Sequence, residues 1–106
     1  MIEKGKRILF LCGAITFDEN YLDKFYDAET KLTSLGYTVF NPAMLPENLE
    51  LEKQVSVTYA MVDASDEVVL FDDWVYSSRG KRQVRYAIEK CKPMVRYEEI
   101  IKGKGI

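Results

Sequence analysis

The chain has 106 residues, two cysteines, no histidine and a formal net charge of −2. This length fits one domain, residues 1–106, and excludes two. The near-neutral charge gives no reason to expect a nucleic acid or an anionic membrane as partner, and the lack of histidine excludes His-based triads and His metal sites. We therefore expect neither a metal ion nor a cofactor.

The cysteines, Cys12 and Cys91, form no CxxC pair and no disulfide framework. The N-terminus shows no secretory segment, and the apolar run from Ile8 to Leu11 is too short to span a membrane. We therefore expect reduced thiols in a cytoplasmic protein. A catalytic thiolate would need a basic neighbour, so Cys12 is predicted to be a buried structural residue.

The first half of the chain predicts two strands joined by a helix. The apolar run 7–12 is typical of a strand that is buried on both faces, and Gly13 closes it. A helix follows and ends at Gly36, the residue after its last turn. Its apolar stripe consists of Leu22, Phe25, Ala28, Leu32 and Leu35. Residues 37–40 form the second predicted strand, which Asn41-Pro42 ends.

The second half repeats this alternation. A helix carries Leu51, Val55, Thr58 and Val62 at helical spacing. Residues 67–72 are the third predicted strand, and residues 93–97 are a fourth, short one, followed by a brief helical turn. Between them lies a helix with four residues expected to face inward: Val84, Ala87, Ile88 and Cys91. The tail, 102–106, is expected to fray.

The order of elements, βαβαβαβ, predicts a parallel sheet with helices on both faces. This is an α/β, Rossmann-like three-layer sandwich, for which we expect the strand order 2-1-3-4. Ligands of such sheets bind beyond the carboxyl ends of the strands, where the winding direction changes. Three predicted loops meet there, at 12–19, 41–46 and 72–80. We expect the functional residues to come from these loops and from the helix starts that follow them.

The first two loops carry weak signals. Gly13 could let backbone N–H groups face a phosphate, or it could serve a tight turn beside a packed Ile15. Asn41 can hold its own turn through its side chain.

The third loop is the richest in chemistry. Residues 72–80 read Asp-Asp-Trp-Val-Tyr-Ser-Ser-Arg-Gly. Trp74 could stack on a base or cap the core, and Ser77, Ser78 and Gly80 could hold a phosphate at a helix N-terminus. The surrounding basic residues lie near the positive end of the helix dipole, which repels them, and an anionic ligand would relieve this repulsion. The same residues are also typical of a helix face that is exposed to solvent. These residues are Arg79, Lys81, Arg82 and Arg85.

These segments together resemble a known family. The motifs are Leu-Cys-Gly-Ala-Ile-Thr (11–16), Gly-Tyr-Thr-Val-Phe-Asn-Pro-Ala (36–43) and Ala-Met-Val-Asp-Ala-Ser-Asp-Glu-Val-Val-Leu (60–70). Asp-Trp, Ser-Arg-Gly, Tyr-Ala and Lys-Pro continue the match, which runs from Arg7 to Tyr97. The pattern is similar to a small uncharacterised family related to the nucleoside 2-deoxyribosyltransferases, which phages and bacteria commonly carry.

The resemblance implies a Rossmann-like domain that binds a nucleoside or nucleotide. Relatives cleave or exchange an N-glycosidic bond with a glutamate nucleophile on the helix after the third loop, and an aspartate on the preceding helix assists the leaving base. Here the nucleophile position is expected at Val84, with Gln83 beside it, and the aspartate position near Thr58. None of these can form the glycosyl ester that a carboxylate forms.

A displaced carboxylate could substitute for the missing glutamate. Asp72 and Asp73 are the candidates, whereas Glu89 lies more than a turn beyond Val84 and on a different helix face.

Three hypotheses follow. The first is a nucleotide-binding protein without the usual glycosidase activity, in which Gly13 and Ile15 form one wall of the site and Asn41 and Met44 another. Trp74 would then cover the base or sugar. The phosphate would lie on Ser77, Ser78 and Gly80, aided by Arg79 or Arg82. The second is an enzyme that uses Asp72 or Asp73, and the third is an interaction module whose pocket is filled by Trp74 and Tyr76.

A homo-oligomer is also expected. The helices carry more apolar residues than one stripe needs, and relatives form oligomers. The apolar residues in excess are Tyr21, Phe25, Tyr26, Val57 and Met61.

Overall fold

The computed structural model of the chain describes residues 7–15 and 20–102. Four strands alternate with four helices: β1 (Ile8–Cys12), α1 (Tyr21–Ser34), β2 (Thr38–Phe40), α2 (Leu51–Ala64), β3 (Glu67–Leu70), α3 (Ser78–Glu89), β4 (Met94–Arg96) and α4 (Tyr97–Lys102). Short 3₁₀ turns follow β2 at Pro42–Met44 and β3 at Asp72–Tyr76. Residues 16–19 of the first predicted loop and residues 103–106 of the predicted tail lie outside the described residues.

The four strands form one parallel sheet with the order β2-β1-β3-β4, which confirms the predicted architecture and strand order. β1 lies in the middle of the sheet, with β2 on one side and β3 on the other. The chain therefore changes its winding direction between β1 and β3. In a doubly wound sheet, the carboxyl edge at this point is where a ligand binds.

Alternation along β1 builds a core on each face of the sheet. Leu9 and Leu11 pack with Phe25 and Leu32 of α1, and residues of α4 pack against this cluster. Phe10 and Cys12 point the other way, against residues of α2 and α3. A fully buried parallel strand needs apolar residues at every position for this reason.

The end of α1 and the inward face of α3 show where sequence periodicity succeeds and fails. Gly36 has a φ of 100°, the left-handed conformation that ends α1 as predicted. In α3, Val84 and Ala87 are buried as expected, but Ile88 is 58% exposed and Cys91 is also exposed, so the inward placement of these two was wrong. Ile88 is rotated about 100° from Ala87, and Cys91 lies beyond α3 with a φ of 57°.

Two further differences concern boundaries and apolar exposure. β3 ends at Leu70, so Asp72 belongs to the 3₁₀ turn and not to the strand. Phe25 is fully buried and therefore cannot contribute an exposed face, whereas Tyr26 and Val57 are exposed. No helix in the described ranges combines the length and the apolar character needed to cross a membrane.

Candidate functional site

A cavity of about 230 Å³ lies beyond the carboxyl ends of β1 and β2, between the segment that follows β2 and the facing sides of α2 and α3. Its apolar lining consists of Ile15, Pro42, Ala43, Leu45, Pro46 and Val55. Its polar lining consists of Tyr21, Glu47, Gln54, Thr58, Arg79, Arg82 and Gln83. The cavity thus occupies the edge of the sheet at which the topology predicts a ligand.

Contacts between α2 and α3 hold the two helical walls of the cavity together. The rings of Tyr59 and Tyr86 stack with centroids 3.9 Å apart and planes 9° from parallel. The Tyr86 hydroxyl donates to the carboxylate of Asp63 at 2.9 Å. At the start of α3, Ser77 Oγ accepts a hydrogen bond from the Gly80 N–H at 3.0 Å. This N-cap sets where α3 begins and so where its side chains project.

The segment after β2 is shaped by Asn41. Its Oδ1 accepts from the Ala43 N–H at 2.9 Å, and its Nδ2 donates to Glu29 Oε1 at 3.0 Å. Both ends of the amide therefore stabilise this segment, in which Pro42 and Ala43 line the cavity. Met44 is 57% exposed. Neither Asn41 nor Met44 is among the described residues that line the cavity.

Two arginines of α3 give the cavity a positive wall. Arg79 and Arg82 line it, and neither makes a hydrogen bond or ion pair with the part of the chain that the structure describes. The first turn of α3 contains no acidic residue to offset them. Glu47 is the single carboxylate within the described lining, and its Oε2 accepts from the Tyr21 hydroxyl at 3.5 Å. The free charge on this wall is therefore positive.

Of the neighbouring residues Gln83 and Val84 on α3, Gln83 faces the cavity. Its side chain is only 5% exposed, and it has no hydrogen-bond partner among residues 7–15 and 20–102. Val84 packs in the core with Phe10 and Val62. The residue expected at the nucleophile position, Val84, therefore faces the core, whereas its neighbour Gln83 faces the cavity, since successive helical residues point about 100° apart.

Two residues of α2 complete the polar lining. Thr58, near which the resemblance places an aspartate, is buried and lines the cavity. Its hydroxyl donates to the main-chain carbonyl oxygen of Gln54 at 2.8 Å. One turn earlier, Gln54 Nε2 donates to the Leu49 carbonyl at 2.7 Å. Gln54 Oε1 is buried and has no hydrogen-bond partner within the described chain. An unpartnered buried acceptor is uncommon and calls for an explanation.

The two fallback carboxylates are both engaged outside the cavity. Asp73 accepts from the Ala14 N–H at 2.9 Å and pairs with the Lys24 ammonium, which ties the 3₁₀ turn to the loop after β1. Asp72 receives two hydrogen bonds of 3.0 Å from the guanidinium of Arg96. This pairing lowers the pKa of Asp72. Neither carboxylate belongs to the described lining, so neither has access to a ligand there.

The remaining residues of the third predicted loop serve packing. Trp74 is half-buried and packs against the core cluster below α2 and α3, outside the described lining of the cavity. A Cβ on Gly80 would lie 2.9 Å from the Trp74 carbonyl oxygen, and one on Gly13 would lie 2.7 Å from Phe71 Cδ2. Both glycines therefore permit close approach of the chain. Ser77 is buried as the N-cap, and Ser78 is exposed.

The thiols are divided between core and surface. Cys12 is fully buried, as predicted, and burial, with the nearby charge of Asp73, raises the pKa of its thiol to about 12. A thiol with so high a pKa is a poor nucleophile at neutral pH. No cluster of His, Cys, Asp or Glu within the described ranges could hold a metal ion.

Three of the residues proposed from the sequence come together at the cavity: Ile15, Arg79 and Arg82. Sequence reasoning missed Gln54 and Glu47 as lining residues. Gln54 lies one turn before Thr58 and so shares its helix face, which is a signal that could have found it. Glu47 lies in an irregular segment that offers no periodic signal.

The fold and the cavity define a doubly wound α/β protein with a small site at its topological switch point. The chain belongs to the family described as Domain of unknown function (DUF4406), which it matches over residues 7–97. This confirms the predicted membership of an uncharacterised family, whereas the relation to nucleoside 2-deoxyribosyltransferases stays a prediction. A comparison with curated proteins gave no match.

Proposed function

We propose that this protein binds a nucleoside or nucleotide in the cavity between α2 and α3 and lacks the carboxylate chemistry of a glycosidase. One observation carries the proposal: Arg79, Arg82 and the carboxamide of Gln83, none of which has a hydrogen-bond partner in the described chain, line the same small cavity. A charged wall beside neutral hydrogen-bonding groups suits a ligand with an anionic end and a polar, uncharged end. A nucleoside monophosphate has this chemistry.

The arginines support a phosphate at the α3 side. A guanidinium can donate two parallel hydrogen bonds to a phosphate, and such charged bonds are stronger than neutral ones. The phosphate would lie near the positive end of the α3 dipole. The Gly80 N–H is already bonded to Ser77, so the arginine side chains are better suited to this task than the serines proposed from the sequence.

The size of the cavity favours a small ligand. Pockets for drug-sized molecules usually have volumes of about 300–1,000 Å³, and this one is smaller, at about 230 Å³. Ile15, Ala43 and Val55 supply apolar surface against which a sugar or a base could pack. A mononucleotide fits these limits better than a dinucleotide does.

The position facing the ligand on α3 carries an amide and not a carboxylate. Gln83 cannot form a covalent glycosyl ester. Asp72 and Asp73 are held in ion pairs elsewhere. We therefore expect binding without release of the base.

Binding is tested by calorimetric titration with the four deoxynucleosides and their 5′-monophosphates. Arg79→Gln and Arg82→Gln should each lower the affinity for the monophosphates by about tenfold or more, which is the usual effect of losing a charged hydrogen bond. Both variants should change the affinity for the nucleosides much less. Arg85→Gln is the matched control, because Arg85 is exposed on the same helix and is not among the described lining residues. Equal losses in all three variants would refute a phosphate site at Arg79 and Arg82.

Glu47 supports a second candidate, an N-glycosidase or transferase, because it places one carboxylate in the lining. Chromatography of free base from wild type, Glu47→Gln and Gln83→Glu separates the two functions. Release by wild type that Glu47→Gln abolishes establishes the enzyme. Release by Gln83→Glu alone shows an intact binding site that lacks its nucleophile.

The interaction-module hypothesis required a cavity filled by Trp74 and Tyr76. Neither is among the described lining residues, and Tyr76 is 76% exposed. The structure therefore offers it no support.

We also propose that the protein self-associates. The support is the exposure of the apolar side chains of Tyr26 and Val57, which a second copy of the chain could bury. Light scattering that gives the mass of a monomer would refute it.

A further inference from the structure

We propose that Gln83 recognises the base of the bound nucleotide, by pairing its carboxamide with a hydrogen-bond donor and an acceptor that lie side by side on the edge of the base. The inference rests on the proposed function, since it names the residue that selects among nucleotides in the same cavity. Gln83 is 5% exposed, lines the cavity and has no hydrogen-bond partner in the described chain. Its amide therefore has its full hydrogen-bonding capacity left for a ligand.

The amide atoms of Gln83 can be reached from the cavity. Across the described residues, the side-chain atoms that are both inaccessible and unpaired belong to Gln54 and Tyr97. The amide of Gln83 has no partner either, yet it is not one of these sealed groups, so its oxygen and nitrogen keep accessible surface. Because Gln83 is a lining residue, this surface faces the cavity. A ligand there can approach both ends of the amide within hydrogen-bond distance.

Both ends of the Gln83 amide are free, so either orientation presents a donor beside an acceptor. The oxygen accepts, and the NH₂ group donates. No neighbour fixes either end, so a half-turn of the terminal torsion exchanges their positions. Gln54 differs, because its Nε2 already donates to the Leu49 carbonyl. Of the two glutamines in the described lining, Gln83 is thus the one that can make a two-point contact with a ligand.

The charged and the neutral parts of the site lie close together on α3. Arg79 precedes Gln83 by four residues, which is about one turn, and Arg82 is its direct neighbour. All three line the cavity, but the arginines are partly exposed and Gln83 is buried. A phosphate at the arginines would therefore keep contact with solvent, while the uncharged part of the same ligand enters beside Gln83. Desolvation favours this direction, because burying a charged group costs more than burying a neutral one.

A base fits this contact better than a sugar does. Each nucleobase has an edge on which an N–H group lies next to a ring nitrogen or a carbonyl oxygen. A glutamine amide pairs with such an edge through two hydrogen bonds, as it does with adenine in DNA. The sugar of a deoxynucleoside monophosphate offers one free hydroxyl, which cannot satisfy both ends of the amide. A ligand that displaces water from Gln83 without offering such an edge leaves the amide unpaired, and this lowers its affinity.

Calorimetric titration with matched ligands and variants tests this assignment. The tightest of the four deoxynucleoside monophosphates is compared with one analogue whose base lacks the N–H donors of that edge and with one that lacks the 3′-hydroxyl. Each ligand is titrated into wild type, Gln83→Met and Gln54→Met. Methionine is close to glutamine in length and has no amide. Gln54→Met is the control, because it makes the same change at a lining residue whose free oxygen is inaccessible. Gln83→Leu replaces Gln83→Met if that variant does not fold.

The expected result is specific to one analogue and one variant. Wild type should bind the base analogue about tenfold more weakly than the parent nucleotide, which is the usual effect of losing a good two-point contact. This difference should disappear in Gln83→Met and persist in Gln54→Met. The factor that separates the parent from the 3′-deoxy analogue should be the same in wild type and in Gln83→Met.

Two kinds of result would overturn the assignment, and they are distinguishable. In the first, nucleotides bind wild type, but the base analogue binds as tightly as the parent, Gln83→Met keeps the difference between them, or Gln54→Met loses it too. The proposed function then stands and base recognition by Gln83 is refuted. A difference that Gln83→Met loses for the 3′-deoxy analogue instead refutes it in the same way. In the second, no nucleotide binds wild type, so the proposed function fails and this inference fails with it.

Discussion

Two regions at the carboxyl edge of the sheet contrast in how their polar groups are used. The 3₁₀ turn, Asp72–Tyr76, holds two carboxylates and the single tryptophan, yet Asp72 pairs with Arg96, Asp73 pairs with Lys24, and Trp74 packs on the core. The facing sides of α2 and α3 carry less conspicuous residues. There Gln83 lines the cavity with no hydrogen-bond partner in the described structure, and Gln54 Oε1 is buried without one.

The contrast teaches that residue type alone does not show which polar groups are available to a ligand. Groups that are already paired stabilise the fold and have little left to offer a ligand. Buried groups without partners are unfavourable for the free protein, so a ligand that satisfies them binds more tightly. The 3₁₀ turn also has a structural role at this edge of the sheet, because Asp73 holds the loop after β1 by accepting a hydrogen bond from the Ala14 N–H.

The largest expected effect tests whether Val84 belongs to the core and Gln83 to the cavity wall. Val84→Glu places a charge among Phe10, Val62 and Ala87, and should lower the free energy of unfolding by roughly 3–5 kcal/mol, as unpaired buried charges do. Urea denaturation at pH 7 measures the change. Gln83→Glu is the matched comparison, and it should be destabilised much less, because its carboxylate faces the arginine-lined cavity. Equal losses in the two variants would break the distinction between a cavity-facing and a core-facing residue.

A medium effect tests whether the 3₁₀ turn is structural. Trp74→Ala removes a half-buried ring from the second core cluster and should cost about 2 kcal/mol, less than a fully buried tryptophan. Nucleotide affinity, measured well below the unfolding temperature, should stay within about twofold of wild type. The reason is that Trp74 is not among the described lining residues and so loses no contact with the ligand. A complete loss of affinity in a folded variant would restore Trp74 to the binding site.

The smallest effect concerns Asp72. Arg96 lowers the pKa of this exposed carboxyl, so its stabilising contribution is complete above its unfolded pKa and disappears as the pH falls through the lower folded value. We expect Asp72→Asn to melt slightly below wild type at pH 7 and together with it in strong acid, with a smaller gap in high salt. Thermal melts at both pH values provide the measurement. A gap that grew on acidification would contradict this assignment.

The fold was predictable because its signals are local. The runs at 7–12 and 67–72 indicate buried parallel strands, and the helical stripe that ends at Gly36 marks the first crossover. Topology rules then supply the strand order and the edge at which a cavity lies. These arguments need no knowledge of side-chain contacts.

The site was predictable only in part, because its details depend on how each helix is rotated against the sheet. A difference of one position separates Gln83 in the cavity from Val84 in the core, which periodicity alone did not resolve. The unsatisfied oxygen of Gln54 depends on the placement of the Leu49 carbonyl, a tertiary fact. Conversely, Asp73 attracted attention by its type, and its ion pair with Lys24 spans 49 positions of sequence.

The unequal burial of the two thiols has a practical consequence. Cys12 is sealed in the core, whereas Cys91 is exposed just past the carboxyl end of α3, the helix whose first turns line the cavity. A maleimide dye should therefore attach to the natural chain at Cys91 alone, with no engineered cysteine. Labelled in this way, the protein carries an optical reporter at the far end of α3 from the arginine wall, ready for ligand screening.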